Sequence, residues 1–254
     1  LPNLNLISQD IVNAAHKAGK EILELWKKSI EIEYKNDKSP VTKADREAGK
    51  IINTILHKIT PNIPTISEED TSNHSQKAHK IFWLIDPLDG TKEFIKGSNQ
   101  FTVNIALIDN QKPILGVVYA PAIGETYFNT SSTEAYLMKN SDQPALISSK
   151  KNLANNSIKV AVTSNSHINE KTRNYLKQNN YNKIINLGSS LKFCIVAKGE
   201  ADIYPRFGRT MEWDTAAGHA IVNAAGGKIL GFDNQNLIYG KKNYENQGFI
   251  CSSN

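Results

Sequence analysis

Residues 82 to 94 read Phe-Trp-Leu-Ile-Asp-Pro-Leu-Asp-Gly-Thr-Lys-Glu-Phe, an apolar run that breaks abruptly into acids. Asp86 ends the apolar strand, Pro87 interrupts its hydrogen-bond ladder, and Asp89 follows three positions after Asp86. Two carboxylates leaving a buried strand together lose hydration and repel each other, which is costly unless positive charge sits between them. A divalent cation is the simplest remedy, and an oxygen donor set without nearby Cys or His favours Mg²⁺ or Mn²⁺ over Zn²⁺. Gly90 lets backbone approach a ligand closely, and N–H groups at the start of a helical turn opening at Thr91 suit a phosphate. Taken alone, the same pattern also fits a surface turn in which Asp86 and Asp89 only cap.

Working outward, the N-terminal side carries two amphipathic helices. Ile11, Ala14, Ala15, Ala18, Ile22, Leu25 and Trp26 recur at helical spacing within residues 8–29. A second stripe, Ala44, Ala48, Ile51, Ile52, Ile55, Leu56 and Ile59, follows Pro40, with Thr42 as its N-cap. Strand-like runs cover residues 63–66, 81–85, 101–108, 114–119, 125–129 and 135–138. Beyond a loop-like stretch at 148–157 the pattern changes to strand–helix alternation: strands at 158–162, 183–187 and 202–204, helices near 169–178, 190–198 and 213–225. The chain thus reads as two closely packed lobes, α+β over 1–150 and α/β over 151–254, with no internal repeat or long linker.

Three further acidic elements lie far from Asp86 in sequence. Ser67-Glu68-Glu69-Asp70 follows a strand, where an acid can converge with Asp86 and Asp89; elsewhere such a triplet is an ordinary solvated patch. Glu212-Trp213-Asp214-Thr215 precedes the small residues Ala216, Ala217 and Gly218, and Asp214 reads as a helix cap or as an acid delivered from the second lobe. Asp45 stands three residues after Thr42, which resembles a capping box; the other reading turns it toward the cleft, where with Thr91 it orients a water. The six histidines form no ligand set, and no Ser-His-Asp, Cys-His or P-loop arrangement occurs.

Composition narrows the class. Cys194 and Cys251 are the only cysteines among 254 residues, which excludes a disulfide scaffold and fits a reducing compartment. No apolar run approaches the ~20 residues that cross a bilayer. The first ten residues lack the basic and small-residue pattern of a secretory signal. The net charge of +5 is scattered, reads as a solvated surface, and mildly favours anionic partners.

PVTKAD, SEED, WLIDPLDGTKEF and EWDTAAGHA occur in the order found in the Mg²⁺-dependent, lithium-sensitive phosphatases related to inositol monophosphatase, which this chain resembles over most of its length. DPLDGTKEF, GSSLKFC and YPRF resemble the 3′(2′),5′-bisphosphate nucleotidase branch of the CysQ type, whereas inositol monophosphatases more often carry Asn at the position of Glu93. The resemblance implies a layered α-β-α-β-α sugar-phosphatase fold. It implies that Glu68, Asp86, Asp89, the Leu88 carbonyl and Asp214 hold two or more Mg²⁺ ions, with Mn²⁺ as a substitute. Glu69 would support those ligands from outside. Gly90 and Thr91 would hold the scissile phosphate, and Thr91 with Asp45 would polarise the attacking water. His167, Ser189 or its neighbour Ser190, Lys192 and Arg206 would receive the rest of the nucleotide, although Asn165 replaces the Arg most relatives place in TSNSH.

The implied reaction converts adenosine 3′,5′-bisphosphate to AMP and phosphate, and 3′-phosphoadenylylsulfate to adenylylsulfate, within sulfur assimilation. Two alternatives stay open: an inositol-phosphate or sugar-phosphate monoesterase with the same metal core, and a non-catalytic binder of anions or nucleic acid. The favoured reading is a cytoplasmic monomer or homodimer acting on a small nucleotide, without a nucleic-acid partner. Weak peripheral contact with the cytoplasmic face of the inner membrane stays open.

Overall fold

A computed structural model describes residues 3–28, 32–34, 40–70, 79–140, 142–150, 158–164 and 168–253. The first helix, α1 (Leu4–Trp26), begins earlier than its apolar stripe because the Asn3 side chain caps it, accepting from the Asn5 N–H at 3.1 Å. A hairpin of β1 (Ile32–Tyr34) and β2 (Pro40–Thr42) leads into α2 (Lys43–Ile59). There follow β3 (Thr65–Ser67), β4 (Ile81–Asp89) and the single-turn α3 (Thr91–Ile95). Next come β5 (Thr102–Asp109), β6 (Lys112–Ala120), β7 (Glu125–Asn129), β8 (Ala135–Lys139) and β9 (Ala145–Ile147). These seven strands, β3 to β9, form one sheet in sequence order. Only the β3–β4 pair is parallel.

The later half supplies β10 (Val160–Ser164), α4 (Glu170–Gln178), β11 (Lys183–Leu187), α5 (Leu191–Ala197) and β12 (Ile203–Arg206). It continues with β13 (Thr210–Met211), α6 (Ala216–Ala224), β14 (Lys228–Gly231), β15 (Glu245–Asn246) and β16 (Phe249–Ser252). A second sheet runs in the order β11-β10-β12-β16-β14, parallel except for β16.

Side-chain alternation along β4 explains the layering. Trp83 and Ile85 face α1 and α2, packing with Ile11, Ala18 and Ile52. Phe82 and Leu84 face the other way, into a core shared with Phe193 of α5, Ile221 of α6 and Val162 of the second sheet. Both faces of β4 are covered, so its sequence is continuously apolar rather than alternating. Leu176 of α4 covers the outer face of the second sheet against Ala161 and Ile203. The layers are therefore α1/α2, first sheet, α5/α6, second sheet, α4, which is the expected α-β-α-β-α arrangement.

Two expectations change locally. β4 runs on to Asp89 instead of stopping at Asp86, with a register shift between those residues against β5. Pro87 lies inside that irregularity, where a missing N–H is tolerated. Residues 213–215 are not helical; α6 begins at Ala216, with Thr215 as its N-cap.

Candidate active site

The parallel pairing of β3 with β4 places Ser67 opposite Ile85, so the next residues, Glu68 and Asp86, leave the sheet side by side. The Glu68 N–H donates to the Ile85 carbonyl at 3.1 Å, which fixes that neighbourhood. Asp214 arrives from the turn before α6, its carboxylate accepting the Met211 N–H at 2.9 Å. Glu68, Asp86 and Asp214 each offer an oxygen within 4.8 Å of the others.

This trio is electrostatically strained. Burial, followed by neighbouring acids, drives the Asp86 and Asp214 carboxyls well above the usual carboxylate range; Glu68 contributes to both shifts. Asp89 faces the same cavity but lies outside the tight trio. Burial raises its carboxyl too, but Lys192, Ser190 and Asn104 oppose the shift. Ser190 donates to Asp89 at 2.7 Å, and Asn104 at 3.4 Å. An oxygen-only cluster of one buried and two half-buried, mutually repelling carboxylates fits a hard divalent cation. Half-buried Glu69 adds further negative charge toward Asp86.

Asp45 serves the fold and the cleft with one carboxylate. Its Oδ2 accepts from the Thr42 N–H at 2.7 Å and the Thr42 hydroxyl at 2.6 Å, closing a capping box on α2. Its Oδ1 accepts from the Thr91 hydroxyl at 3.0 Å. The two readings of Asp45 in the sequence therefore describe two oxygens of one side chain. Thr91 reaches this position because Gly90 takes φ +93°, a left-handed conformation that turns the chain sharply from β4 into α3. The Thr91 hydroxyl also lies 3.2 Å from the Leu88 carbonyl.

A cavity of about 300 Å³ is lined by Glu68, Asp86, Leu88, Asp89, Gly90, Thr91 and Asp214 together with Ser189, Lys192 and Arg206. The Lys192 Nζ donates to the Ser189 carbonyl and lies 5.4 Å from the Tyr204 ring centre; burial lowers its ammonium to about 8. Among the described residues, Ser189 Oγ and Arg206 Nε are buried without a hydrogen-bond partner, leaving hydrogen-bonding capacity on this wall. His167 lies outside the described residues.

Several site residues were not singled out from the sequence: Asn104, Tyr204, and the pair Gly188 and Gln100. Asn104 had a signal, a polar side chain inside the apolar run of β5, directly opposite Asp86. The Gly188 N–H donates to Gln100 Oε1 at 2.8 Å, and a Cβ on Gly188 would lie 2.8 Å from the Gln100 carbonyl oxygen. That contact joins the two cavity walls. Of the other histidines, buried His219 is satisfied by the Tyr239 hydroxyl at 2.9 Å, and His16 by Thr126 at 2.8 Å.

A sheet edge and a second-lobe turn that deliver acids into one cleft, which cationic side chains also line, define a metal-dependent phosphatase architecture. Residues 4–254 match the model of the inositol monophosphatase family, and the chain belongs to that family, which depends on metal. The 3′(2′),5′-bisphosphate nucleotidase CysQ of Buchnera aphidicola subsp. Acyrthosiphon pisum is 45% identical over 251 residues, spanning 96% of this chain and 92% of its own. CysQ of Escherichia coli K12 is 41% identical over 246 residues, spanning 95% and 98%. Among solved structures, CysQ from Bacteroides thetaiotaomicron, a bacterial member of the inositol monophosphatase family, superposes with a TM-score of 0.85 at 35% identity, covering 98% of this chain and 97% of its own. The inositol monophosphatase of Thermotoga maritima gives 0.76 at 28% identity, covering 95% and 89%. Among the described residues, no helix is long and apolar enough to cross a membrane.

Proposed function

We propose that this chain is a 3′(2′),5′-bisphosphate nucleotidase that removes the 3′-phosphate of adenosine 3′,5′-bisphosphate, and likewise of 3′-phosphoadenylylsulfate, in sulfur assimilation. The observation that carries the reading is one cavity lined both by an acidic wall, Glu68, Asp86 and Asp214, and by a polar and cationic wall, Ser189, Lys192 and Arg206. A monophosphate substrate needs only the acidic wall; a second phosphate gives the cationic wall its purpose. A binder of polyanions is disfavoured, because the cavity is lined by acids.

Glu68, Asp86, Asp89, Asp214 and the Leu88 carbonyl would hold the cations, which we take to be two or more Mg²⁺ ions, replaceable by Mn²⁺. When bound, such ions neutralise phosphate oxygens, acidify water and stabilise the leaving alkoxide. Gly90 and Thr91 hold the scissile phosphate through their backbone. The Thr91 hydroxyl accepts the water's proton while passing its own to Asp45 Oδ1, along the 3.0 Å bond already formed. Burial raises the Asp45 carboxyl, which suits it to receive a proton. Glu69 supports the metal acids from outside, and His167 joins Ser189, Lys192 and Arg206 around the nucleotide.

The chain divides at about residue 150 into an N-terminal lobe carrying most cation ligands and a C-terminal lobe carrying Asp214 and the nucleotide wall. We place the enzyme in the cytoplasm, in keeping with its free cysteines Cys194 and Cys251, as a monomer or homodimer. Phosphate release from adenosine 3′,5′-bisphosphate and from inositol 1-phosphate, each with Mg²⁺ and with EDTA, tests the proposal. Preference for the inositol phosphate would overturn the substrate. No release from either with Mg²⁺ would overturn the enzyme reading.

A further inference from the structure

Ser190 occupies the N-cap position of α5, yet its side chain caps nothing there. The hydroxyl is spent across the cleft instead. It donates to Asp89 Oδ2 at 2.7 Å, lies 2.8 Å from the Asp214 carbonyl oxygen, and accepts from Asn104 Nδ2 at 2.9 Å. A hydroxyl has one proton and two lone pairs, so Ser190 accepts from Asn104 while Asp89 Oδ2 and the Asp214 carbonyl oxygen share its single proton. They join β5, the end of β4 and the turn before α6, three segments far apart along the chain. The Ser190 side chain is buried, so water does not compete for these bonds.

We infer that Ser190 is a positioning residue for the cation site. It fixes Asp89 Oδ2, with help from the 3.4 Å contact of Asn104, and leaves Oδ1 as the oxygen free to serve as a ligand. Through the Asp214 carbonyl it also sets the span between the acid from the first sheet and the acid from the second-lobe turn. Carboxylate ligands depend on such outer hydrogen bonds for orientation, and losing one costs roughly 10–100-fold in metal affinity. This inference rests on the reading that Asp89 and Asp214 hold a divalent cation.

Mn²⁺ titration of the full chain followed by electron paramagnetic resonance, without substrate, tests it, alongside the melting temperature in EDTA. Ser190→Ala is expected to raise the Mn²⁺ Kd by about tenfold or more, and Ser190→Thr, which keeps the hydroxyl, to bind within a few-fold of wild type. Should Ser190→Ala fail to fold, Asn104→Leu removes a donor to both Ser190 and Asp89 and is expected to raise the Kd in the same direction. A folded Ser190→Ala or Asn104→Leu protein with the wild-type Kd overturns the inference, even if its melting temperature drops, because a purely structural role would produce that pattern. Absence of Mn²⁺ binding by the wild-type chain overturns the cation reading, and the inference with it.

Discussion

The Thr91 hydroxyl donates to Asp45 Oδ1 at 3.0 Å, tying the turn after β4 to the first turn of α2. The same carboxylate closes the cap of α2, so its position is set by the fold before substrate arrives. Thr91→Val removes the hydroxyl and keeps the shape. Turnover should fall roughly 10²–10⁴-fold, the usual worth of a positioned proton acceptor. Steady-state phosphate release and thermal melting check this: kcat should collapse while the melting temperature stays near wild type.

The metal-free site should be unstable at high pH. The Asp86 and Asp214 carboxyls lie well above their unfolded values, so their contribution to stability is full below the unfolded carboxylate pKa and is lost as pH rises through the folded values. Protons and cations relieve the same repulsion. The gain in melting temperature on adding Mg²⁺ should therefore be larger at about pH 8 than at about pH 5. An equal gain at both would detach cation binding from these acids.

Asp86→Asn and Asp89→Asn should both lose turnover by orders of magnitude, but they should differ in EDTA. Asp86 accepts one backbone N–H, from Leu88 at 3.1 Å, and otherwise meets repelling acids, so its neutral variant should melt higher, by about 2–4 °C per kcal/mol relieved. Asp89 already has donors in Ser190 and Asn104 and a nearby cation in Lys192, so its variant should gain less. Calorimetry without metal distinguishes the two.

Glu68 and Asp86 were legible because each follows an apolar strand run; Asp45 and Asp214, at helix starts, read equally as caps, and only the order of the four motifs tied them to one site. The first-sheet strands up to 139 were legible because their apolar runs are bounded by turn residues. The bonds of Ser190, Asn104 itself and the Gly188–Gln100 contact were not, because their partners lie in other segments and no period encodes a cross-cleft bond. Short strands such as β14 and β16 were missed as well; at four residues each they carry too little pattern. Asp89 looked equivalent to Asp86 in sequence, and only the neighbouring hydrogen bonds separate them.

Lys192→Met should raise KM for adenosine 3′,5′-bisphosphate by about tenfold or more, since a charge-assisted phosphate contact is worth about 1.5–3 kcal/mol. KM for a nucleoside 3′-monophosphate should change little. Kinetics on the two substrates side by side provide the check, and an equal rise in both would remove Lys192 from the second phosphate.

Gly188→Ala should push apart the walls joined through Gln100, because the added methyl would lie 2.8 Å from the Gln100 carbonyl and 3.0 Å from Glu93 Cγ. The expected loss is about 1–3 kcal/mol of stability, with a higher KM and an unchanged Mn²⁺ Kd. Denaturant unfolding and metal titration on the same variant measure both.

Diffraction from Mn²⁺-soaked crystals at the manganese absorption edge tests the central claim most directly. The account predicts anomalous peaks within about 2–2.3 Å of carboxylate oxygens from Glu68, Asp86 and Asp214. A map with no peak among these three acids, or with manganese bound only elsewhere, would contradict it.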